Sequence, residues 1–526
     1  MKTQIIIDNI RTPITADDNE ILSIARRKLQ KNGISFIEGS LHLHKRSIDA
    51  RKKQNITFVS SVVAQSDADV SMMKSESGIR YQPVSELSVE NGKENLDGRP
   101  YIVGFGPAGI FCALLLAERG LRPVVIERGA PVDERVCKVE SFYKTGILDT
   151  ETNIQFGAGG AGTFSDGKLV TRIGDPRSEY VLKKLVEFGA PENILWDAKP
   201  HIGTDVLREV VSRAHDMITS LGGEIIYNTR AERIGDGHLT INGEMVKCGF
   251  VVLCPGHSSR DTYAELIKDG FCVEAKPFSI GVRVEHLQSE LDRSMFGNEG
   301  LAERLGHAEY QLSYRKGDRG VYTFCMCPGG EVVAATSEEG GVVTNGMSYH
   351  ARDGKNANAA VAVSVLPEDF NGDPCMAIEF QRKLEREAFV AGGRNYYAPC
   401  QSIGNFYDGK DGGFGNKIVP SYMNSKVNAA DFNKLLPNFA VSMLKEGFSV
   451  FGKKIKGYDS PNVPLTGIET RTSAPVRILR NDKMCAIGHD LVYPCGEGAG
   501  YAGGITSAAV DGIRVAEAIL SRFRHD

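Results

Sequence analysis

The chain has 526 residues, 41% of them hydrophobic and 24% charged, which is typical of a globular protein with about two or three domains. Its net charge of −4 gives no general attraction to nucleic acid or to an anionic membrane. We expect a cytoplasmic protein without a membrane span, because the N-terminus lacks an apolar signal core and the longest apolar run covers only residues 110–117.

Residues 1–84 are predicted to form a small α/β module, which a polar, aperiodic linker at residues 85–99 joins to the rest of the chain. Asp17, Asp18 and Asn19 supply capping residues ahead of a helical segment. The βαββ order suggests a ferredoxin-like arrangement. The predicted elements are a strand at residues 5–7, a helix at 20–31 and strands at 34–42 and 56–63.

A basic stretch at residues 45–53 carries five lysine or arginine side chains in nine residues. This density raises the alternative of an RNA-binding module. Residues 1–98 nevertheless hold 14 basic and 13 acidic residues, and aromatic side chains for base stacking are scarce around the stretch. A solvated loop is therefore the favoured interpretation, and a nucleic-acid partner is not expected.

Residues 101–127 form the most informative segment of the chain. An apolar strand runs into a GxGxxG turn, a helix follows, and a second apolar strand ends on an acidic residue. In such βαβ units the first glycine allows a tight turn, the second lets a pyrophosphate approach the backbone, and the helix N-terminus offers unpaired N–H groups. The acidic residue about 20 positions on is placed to bind a ribose. The predicted dinucleotide contacts are Gly104, Gly106, Pro107, Ala108, Gly109, Glu127 and Arg128.

A second glycine-rich turn near the C-terminus favours FAD over NAD. A predicted strand ends at Gly496 and Glu497, and a helix begins near Gly504. Glu497 can bind the ribityl hydroxyls of a flavin, and the helix N-terminus can face the pyrimidine edge, where negative charge collects on reduction. A helix-entry turn that only closes the sheet is the alternative. The predicted FAD contacts here are Gly496, Glu497, Gly503, Gly504 and Ile505.

Four further strings are distinctive: FGAGGAGTFSDGKL at residues 156–169, CMCPGG at 325–330, VTNGMS at 343–348 and ETRTSAPVR at 469–477. The two glycine-rich turns resemble the glutathione-reductase-type FAD fold. With the four strings, most of residues 100–526 is similar to the bacterial family of uncharacterised FAD-dependent dehydrogenases. The resemblance implies the fold and FAD as cofactor, and it implies no substrate.

We predict an α/β fold in which a discontinuous, Rossmann-like FAD-binding domain holds an inserted α+β substrate domain. The FAD-binding domain is assigned to residues 99–275 and 461–526, and the substrate domain to residues 276–460. A Cys-Pro-Gly turn begins at residue 254, where FAD enzymes of this type generally have Ala-Thr-Gly. The backbone path can be kept although a hydroxyl contact is lost, and the predicted contacts are Pro255 and Gly256.

The glycine-rich segment 157–168 lies about 30 residues after the acidic residue of the fingerprint. It contains no cysteine, which excludes at this position the thiol–disulfide relay of the related disulfide reductases. Its backbone can lie against a flat ring and donate N–H groups to FAD. Lys168 either balances the charge of reduced flavin near N1 or ends a loop. The predicted contacts are Gly159, Gly160, Ala161, Gly162, Thr163 and Lys168.

The candidate catalytic residues are Lys168, His257 and Arg283. His257 follows the Cys-Pro-Gly turn, and Arg283 ends a predicted strand of the substrate domain, where it can bind a carboxylate. For each candidate an ion pair without a catalytic role is the alternative. Further candidates are His286, Arg471 and Arg477.

The eleven cysteines predict buried thiols rather than disulfides, and no cysteine or histidine spacing predicts a metal site. Cys325 and Cys327 form a C-x-C pair whose side chains would share one face of a strand. They are either a redox pair beside the flavin or, as is more common for free cysteines, small apolar residues of the core.

The sequence thus predicts an FAD-dependent oxidoreductase that passes a hydride or electron pair between the flavin and a small-molecule substrate. Only one nucleotide fingerprint is present, so NAD(P)H would be a transient donor that visits the same cleft. The alternatives are an FAD-dependent RNA-modifying enzyme or RNA binder, and a flavoprotein without enzymatic activity.

Overall fold

The computed structural model describes residues 3–525 except residues 69–76, 85, 86, 88, 172, 411, 412 and 416. Its N-terminal elements are β1 (Thr3–Pro13), α1 (Asp18–Lys31), β2 (His42–Asp49), β3 (Thr57–Ser66) and β4 (Ile79–Pro83). The four strands form an antiparallel sheet in the order β2-β3-β1-β4. The helix α1 buries Ile21, Ala25 and Leu29 against this sheet.

The predicted N-terminal helix is confirmed, and its first turn shows why it begins there. Asp17 accepts a hydrogen bond from the N–H of Glu20, and the Glu20 carboxylate accepts one from the N–H of Asp17. This reciprocal pair satisfies two donors that a helix N-terminus leaves unpaired. The strand predicted at residues 34–42 is wrong, because the chain turns near residue 38 and β2 begins only at His42. Among its described residues the module holds one helix, whereas a ferredoxin-like module has two.

The basic stretch at residues 45–53 is partly neutralised by acidic neighbours. Arg46 forms an ion pair with Asp18, and Arg51 forms one with Asp49. These pairs lower the net positive charge of the stretch. The structure therefore adds no observation in favour of the RNA alternative.

The predicted linker, of which residues 85, 86 and 88 lie outside the described residues, runs along the end of the chain. The N–H groups of Gly92 and Glu94 donate to the carbonyl oxygens of Leu520 and Arg522, at 2.9 and 3.0 Å. These hydrogen bonds hold the stretch against the last helix.

The first large unit begins directly after this stretch. Its α-helices and β-strands are β5 (Pro100–Val103), α2 (Pro107–Glu118), β6 (Val124–Ile126), α3 (Val132–Thr145), α4 (Arg177–Glu187), α5 (Thr204–Ser220), β7 (Glu224–Ile226), β8 (Ala231–Gly235), β9 (His238–Ile241), β10 (Glu244–Lys247), β11 (Phe250–Leu253), α6 (Arg260–Lys268) and β12 (Val273–Ala275).

The second large unit follows along the chain, which then returns to the first. The second unit contains β13 (Phe278–Leu287), α7 (Gln288–Phe296), α8 (Ala302–Leu305), β14 (Ser313–Lys316), β15 (Arg319–Cys327), β16 (Glu331–Ala334), β17 (Thr344–Met347), β18 (Asn356–Val365), α9 (Pro374–Ala391), β19 (Ala398–Ser402), α10 (Ile403–Asp408), β20 (Val427–Ala429), α11 (Phe432–Leu435), α12 (Asn438–Lys454) and β21 (Pro464–Glu469). The last elements are β22 (Val476–Ile478), β23 (Val492–Pro494) and α13 (Ile505–Leu520).

The first unit is built on a five-stranded parallel sheet in the order β23-β11-β5-β6-β7. Its inner strands are short apolar runs, as expected for a sheet that is covered on both faces. The helices α2 and α13 pack closely together: a Cβ on Gly512 would lie 2.2 Å from the carbonyl oxygen of Ala108. The predicted α/β fold with a discontinuous Rossmann-like domain is therefore confirmed. A small antiparallel sheet, β8 to β10, was not predicted.

The second unit is built on a seven-stranded mixed sheet in the order β14-β15-β18-β13-β21-β19-β20. Because β21 pairs with β13 and β19, residues 464–469 belong to this sheet and not to the first. The sequence-based division at residue 460 is therefore misplaced: the chain leaves the second sheet only after Glu469. No helix in the described part of the chain is both long and apolar enough to cross a bilayer.

A buried ion cluster joins the two units. Arg260, at the start of α6, donates to both oxygens of Glu385 on α9, at 2.6 and 2.8 Å. Arg471, just beyond β21, donates to the same carboxylate at 2.8 and 3.1 Å. Gln381 accepts from Arg260 and donates to the carbonyl of Thr470, which extends the cluster. One carboxylate thus holds two guanidinium groups from different parts of the chain.

We expect Glu385→Ala to lower the free energy of unfolding by about 3–5 kcal/mol, because it leaves two buried guanidinium groups without their shared partner. Glu379→Ala is a matched control on the same helix, since Glu379 is exposed and also pairs with two arginines. Its cost should be below about 1 kcal/mol. Urea unfolding followed by circular dichroism measures both. Equal costs would contradict a structural role for the cluster.

The difference between wild type and Glu385→Ala should depend on pH. Burial raises the pKa of the Glu385 carboxyl, but Arg260 and Arg471 outweigh burial and hold it well below its ordinary value. A folded-state pKa below the unfolded one stabilises the protein fully above the ordinary glutamate pKa of about 4.3. This stabilisation is lost as the pH falls through the folded-state pKa. The two unfolding curves should therefore converge on acidification.

Candidate cofactor and active site

A cavity of about 470 Å³ lies at the carboxyl ends of the parallel strands. Val103, Ile126, Cys254 and Cys495, which end or follow β5, β6, β11 and β23, all contribute to its wall. The carboxyl edge is where open parallel sheets bind their ligands, and the volume is in the range of small-molecule sites. The opposite wall comes from the second unit, chiefly from β15 and the residues before β14.

The GxGxxG turn has the backbone geometry that its glycines require. Gly104 has a φ of +104°, and a Cβ there would lie 2.1 Å from the carbonyl oxygen of Cys254. Gly106 precedes α2 and borders the cavity, where an added Cβ would meet only the Cα of Gly160, at 3.8 Å. The N-cap residue of α2 is Gly106, which has no side chain to cap the helix, so its first N–H groups are available to a ligand in the cavity.

A second helix N-terminus opens into the same cavity. Gly503, Gly504 and Ile505 line the wall, and the N-cap residue of α13 is Gly504, which has no side chain to cap the helix. Each helix N-terminus carries the equivalent of about half a positive charge. Two such ends favour an anionic ligand.

The carboxylate of Glu127 anchors the loops around the cavity. It accepts hydrogen bonds from the N–H groups of Phe105, Gly129 and Gly157, at 2.9, 2.9 and 3.0 Å. Glu127 also lines the cavity, so one lone-pair direction remains for the ribose that the sequence predicts. Glu127 therefore holds the backbone of the GxGxxG turn, and it also remains free to make the ribose contact that the sequence predicts.

Arg135, on α3, holds the glycine-rich loop through hydrogen bonds from its side chain to backbone carbonyl groups. Its guanidinium donates to the carbonyl oxygens of five residues, namely Asn153, Ile154, Gly157, Ala158 and Gly160, at 2.6–3.3 Å, and Nη1 serves the last three of them. The side chain is fully buried, and none of the carboxylates that the structure describes forms an ion pair with it. Burial lowers its pKa to about 9, a value that still keeps the guanidinium charged at neutral pH. No sequence signal singled out this residue.

A charge cluster contributes to another part of the cavity wall: Lys168, Asp166 and Glu309 line the cavity, whereas Arg352 does not. Lys168 lies 2.6 Å from Asp166 and 3.9 Å from Glu309. Arg352 donates to Asp166 at 2.6 and 2.9 Å and to Glu309 at 2.7 Å. Burial lowers the pKa of Lys168, but Asp166 and Glu309 outweigh it and raise the pKa above its ordinary value. Lys168 is therefore a permanent cation at the cavity.

His257 and Glu497 face each other across 3.6 Å. Burial, with Arg471 and Arg260, lowers the pKa of His257 to about 3, so the imidazole is neutral, and its Nε2 has no hydrogen-bond partner. Burial raises the pKa of Glu497 to about 7. The carboxyl of Glu497 can therefore hold or release a proton at neutral pH beside a neutral imidazole.

Most of the predicted site residues meet in this one cavity. Gly159, Thr163 and Gly496 are the exceptions among the predicted cofactor contacts, since they lie next to lining residues but not in the wall. The predicted residues that line the cavity are Gly104, Gly106, Pro107, Ala108, Gly109, Glu127, Arg128, Gly160, Ala161, Gly162, Lys168, Pro255, Gly256, His257, Glu497, Gly503, Gly504 and Ile505.

Arg283 lies behind the cavity wall, contrary to the prediction that it anchors a substrate. Its buried guanidinium makes two hydrogen bonds to Glu469, both at 2.9 Å, and others to Asn345, Asn358 and the carbonyl of Cys325. All five N–H donors are thus occupied by the protein. Arg283 therefore forms an ion pair without a catalytic role, which the sequence analysis gave as the alternative for this residue.

Of the three other charged candidates, one lines the cavity and two do not. Arg471 lines the cavity while paired with Glu385. His286 is buried and contacts the carbonyl of Tyr458 at 2.8 Å, and Arg477 pairs with Glu274 near the surface, so neither belongs to the wall.

Several lining residues were not identified from the sequence. Asp166 stands inside a quoted glycine-rich string, so its position carried a weak signal. Asn345 likewise lies inside the quoted string at residues 343–348. The other lining residues of the second unit that were not identified stand in no recognisable motif, and they include Glu309, Tyr310, Gln311 and Thr323. In the described part of the chain, no group of three or more His, Cys, Asp or Glu side chains could hold a metal ion.

Comparisons with known proteins are consistent with this site. The family model described as "FAD-dependent protein, C-terminal domain-like" matches residues 277–472, which run from the start of β13 to just beyond β21. An uncharacterized protein of Clostridium beijerinckii is 47% identical over 530 residues, and the alignment covers 98% of each chain. The relative therefore shares both large units with this chain.

Solved structures show more distant similarity. The halogenase PltM has a TM-score of 0.37 at 11% identity, with 81% of this chain and 71% of that chain covered. CtdE in complex with FAD has a TM-score of 0.33 at 12% identity, with 81% and 84% covered. The glycerol-3-phosphate dehydrogenase from Bacillus halodurans, complexed with FAD, has a TM-score of 0.33 at 10% identity, with 81% and 65% covered.

We expect Arg135→Met to lower the free energy of unfolding by about 3 kcal/mol or more and to reduce retention of bound flavin, because five buried carbonyl groups lose their donors. Arg135→Lys should recover only part of the loss, since three donors cannot match the planar fork. Arg213→Met, at an exposed arginine of α5, is the control. Urea unfolding and the flavin absorbance per chain measure the two effects. Unchanged values for Arg135→Met would contradict the assigned role.

Proposed function

Because this chain belongs to a bacterial family of FAD-dependent proteins, we propose that it is an oxidoreductase that passes a hydride or an electron pair between FAD and a small-molecule substrate. One observation carries the proposal. Two glycine-rich turns, with their uncapped helix N-termini, share a single cavity with charged and thiol side chains from the second unit.

The residues present fit FAD. The open space beside Gly106 and the free N–H groups of α2 suit a pyrophosphate, and Glu127 suits the adjoining ribose. The unpartnered Nε2 of His257 and the carboxyl of Glu497 offer further polar contacts near the N-terminus of α13. When bound, FAD supplies two-electron chemistry that no side chain of this chain provides alone.

The protein groups around the ring site have distinct tasks in this proposal. Lys168 balances negative charge on reduced flavin, and Asp166 with Glu309 keeps it charged. Glu497 holds or releases a proton at its carboxyl oxygen beside the neutral imidazole of His257. The N-terminus of α13 adds a positive dipole end on the same side.

The second unit supplies the surface that a substrate would meet. Gln311 and Asn345 bring amide groups to the wall, which suits a small molecule with polar substituents. We propose that NAD(P)H, if it is the donor, enters this same cleft, because the chain has one nucleotide fingerprint.

Purified protein should carry FAD that heat denaturation releases, and Gly106→Asp should abolish its retention. The new carboxylate would lie beside the pyrophosphate. At an effective dielectric constant of about 20, two unit charges about 4 Å apart repel by about 4 kcal/mol, or roughly 10³-fold in affinity. Gly413→Asp is the control, because its Cβ would lie in open space outside the cavity wall. Flavin absorbance per chain after gel filtration measures retention.

Anaerobic mixing of the holoprotein with NADH and with NADPH completes this test. Bleaching of the flavin absorbance by either donor is the outcome expected of an oxidoreductase. A colourless protein that takes up no added FAD would refute the cofactor assignment. A bound flavin that neither nicotinamide nor dithionite reduces would instead support a flavoprotein without enzymatic activity.

Lys168→Met should make the midpoint potential of the bound flavin more negative by tens of millivolts. The substitution lowers by one unit the net charge of the cluster that Lys168 forms with Asp166, Glu309, Arg352 and Lys199 beside the reduced flavin. For a two-electron couple, about 30 mV corresponds to 1.4 kcal/mol. Lys183→Met, at an exposed position of α4, serves as the control. Spectroelectrochemical titration gives the potential, and equal values for both variants would show that Lys168 only ends a loop.

A further inference from the structure

The second unit brings two thiols to the cavity. Cys325 lines the wall, and Cys327, two residues further along β15, is fully buried. The pairing of β15 with β18 shifts its register just after Phe324, and Cys325 has a left-handed φ of 43°. The Cys327 thiol donates to the carbonyl oxygen of Cys325 at 3.3 Å and hydrogen-bonds to its sulfur. The bulge therefore brings the two cysteines together beside the cavity.

Two cationic side chains, Arg283 and Lys168, lie near this pair. Arg283, fixed by Glu469, donates to the carbonyl oxygen of Cys325 at 2.9 Å. The hydrogen bond from Cys327, opposed by burial and helped by Arg283 and Lys168, lowers the pKa of Cys325 to about 6. The same hydrogen bond, with burial, raises the pKa of Cys327. The two opposite shifts favour a state of the pair with a thiolate at Cys325 and a thiol at Cys327, and the thiolate is the reactive form.

A second pair of thiols in the same wall has a different environment. Cys254 and Cys495 follow the neighbouring parallel strands β11 and β23. Burial, the hydrogen bond with Cys254 and the nearby Asp511 carboxylate raise the pKa of Cys495. This thiol stays protonated at neutral pH. The charge around the sulfur atoms therefore singles out Cys325 and Cys327.

We propose that Cys325 and Cys327 form a redox-active pair that exchanges two electrons with FAD, an inference that rests on the proposed function. In the oxidising direction, the Cys325 thiolate and the Cys327 thiol form an S–S bond and lose two electrons and one proton. Both electrons and the proton pass to oxidised FAD, which becomes the reduced anion. The reverse transfer breaks the S–S bond and restores thiolate and thiol. The site thereby stores a second electron pair.

Anaerobic titration of air-oxidised holoprotein with dithionite counts the stored electrons. Wild type should take up about four electrons per FAD, two for the flavin and two for the disulfide. Cys325→Ser and Cys327→Ser should each take up about two. Cys400→Ala is the control and should keep the wild-type count, because Cys400 is a buried thiol of β19 outside the cavity wall.

Mass spectrometry of flavin-free protein gives an independent readout. After mild oxidation and alkylation of free thiols, the peptide that holds both cysteines should be unalkylated and lighter by two hydrogens than its reduced form. Alkylation of both thiols would overturn the proposal, as would about two electrons per FAD in wild type with FAD bound. A count of about four in Cys325→Ser would also overturn it. If the protein bound no FAD but still formed the disulfide, this result would refute both the proposed function and the electron exchange with FAD.

Discussion

The cavity depends on Arg135, which does not itself border it. The buried guanidinium donates to five carbonyl groups in and just before the glycine-rich loop, while the Glu127 carboxylate accepts from the N–H of Gly157. A cation and an anion thus fix the carbonyl and the N–H group of the same residue, Gly157. Ordering a backbone residue costs about 1–2 kcal/mol, and glycine loses the most freedom. Without these charges, the composition of the loop would favour many conformations.

The two large units contribute different chemistry to one cavity. The parallel sheet and its loops supply mostly backbone groups, above all the uncapped N-termini of α2 and α13. The second unit supplies side chains, such as Glu309 and Cys325. The carboxylate of Glu385, held by two guanidinium groups, sets how these walls meet. A shift of this junction would separate Lys168 from its partner Glu309.

The sequence-based predictions were right where the structure depends on neighbouring residues, and they were wrong where it depends on residues far apart in the chain. The fingerprint turn, the C-terminal turn and the helices after them were predicted, because each depends on residues within one βαβ unit or one strand-to-helix turn. Arg283 was assigned to the substrate from its place near a strand end, but Glu469, 186 residues away, occupies its guanidinium. The division near residue 460 failed likewise, since β21 belongs to the second sheet only through its pairing with β13.

The sequence by itself determined the local units and the type of ligand: glycine spacing dictates the turns, apolar periodicity dictates strands and helices, and an acid after the second strand indicates a ribose. Only the tertiary structure decided which charges meet. Arg135 beneath the loop, Arg352 between Asp166 and Glu309, and Cys325 turned to the cavity all depend on contacts between distant segments. Hydrogen bonds and ion pairs of this kind leave no periodic signal, because their geometry exists only once the sheets have packed.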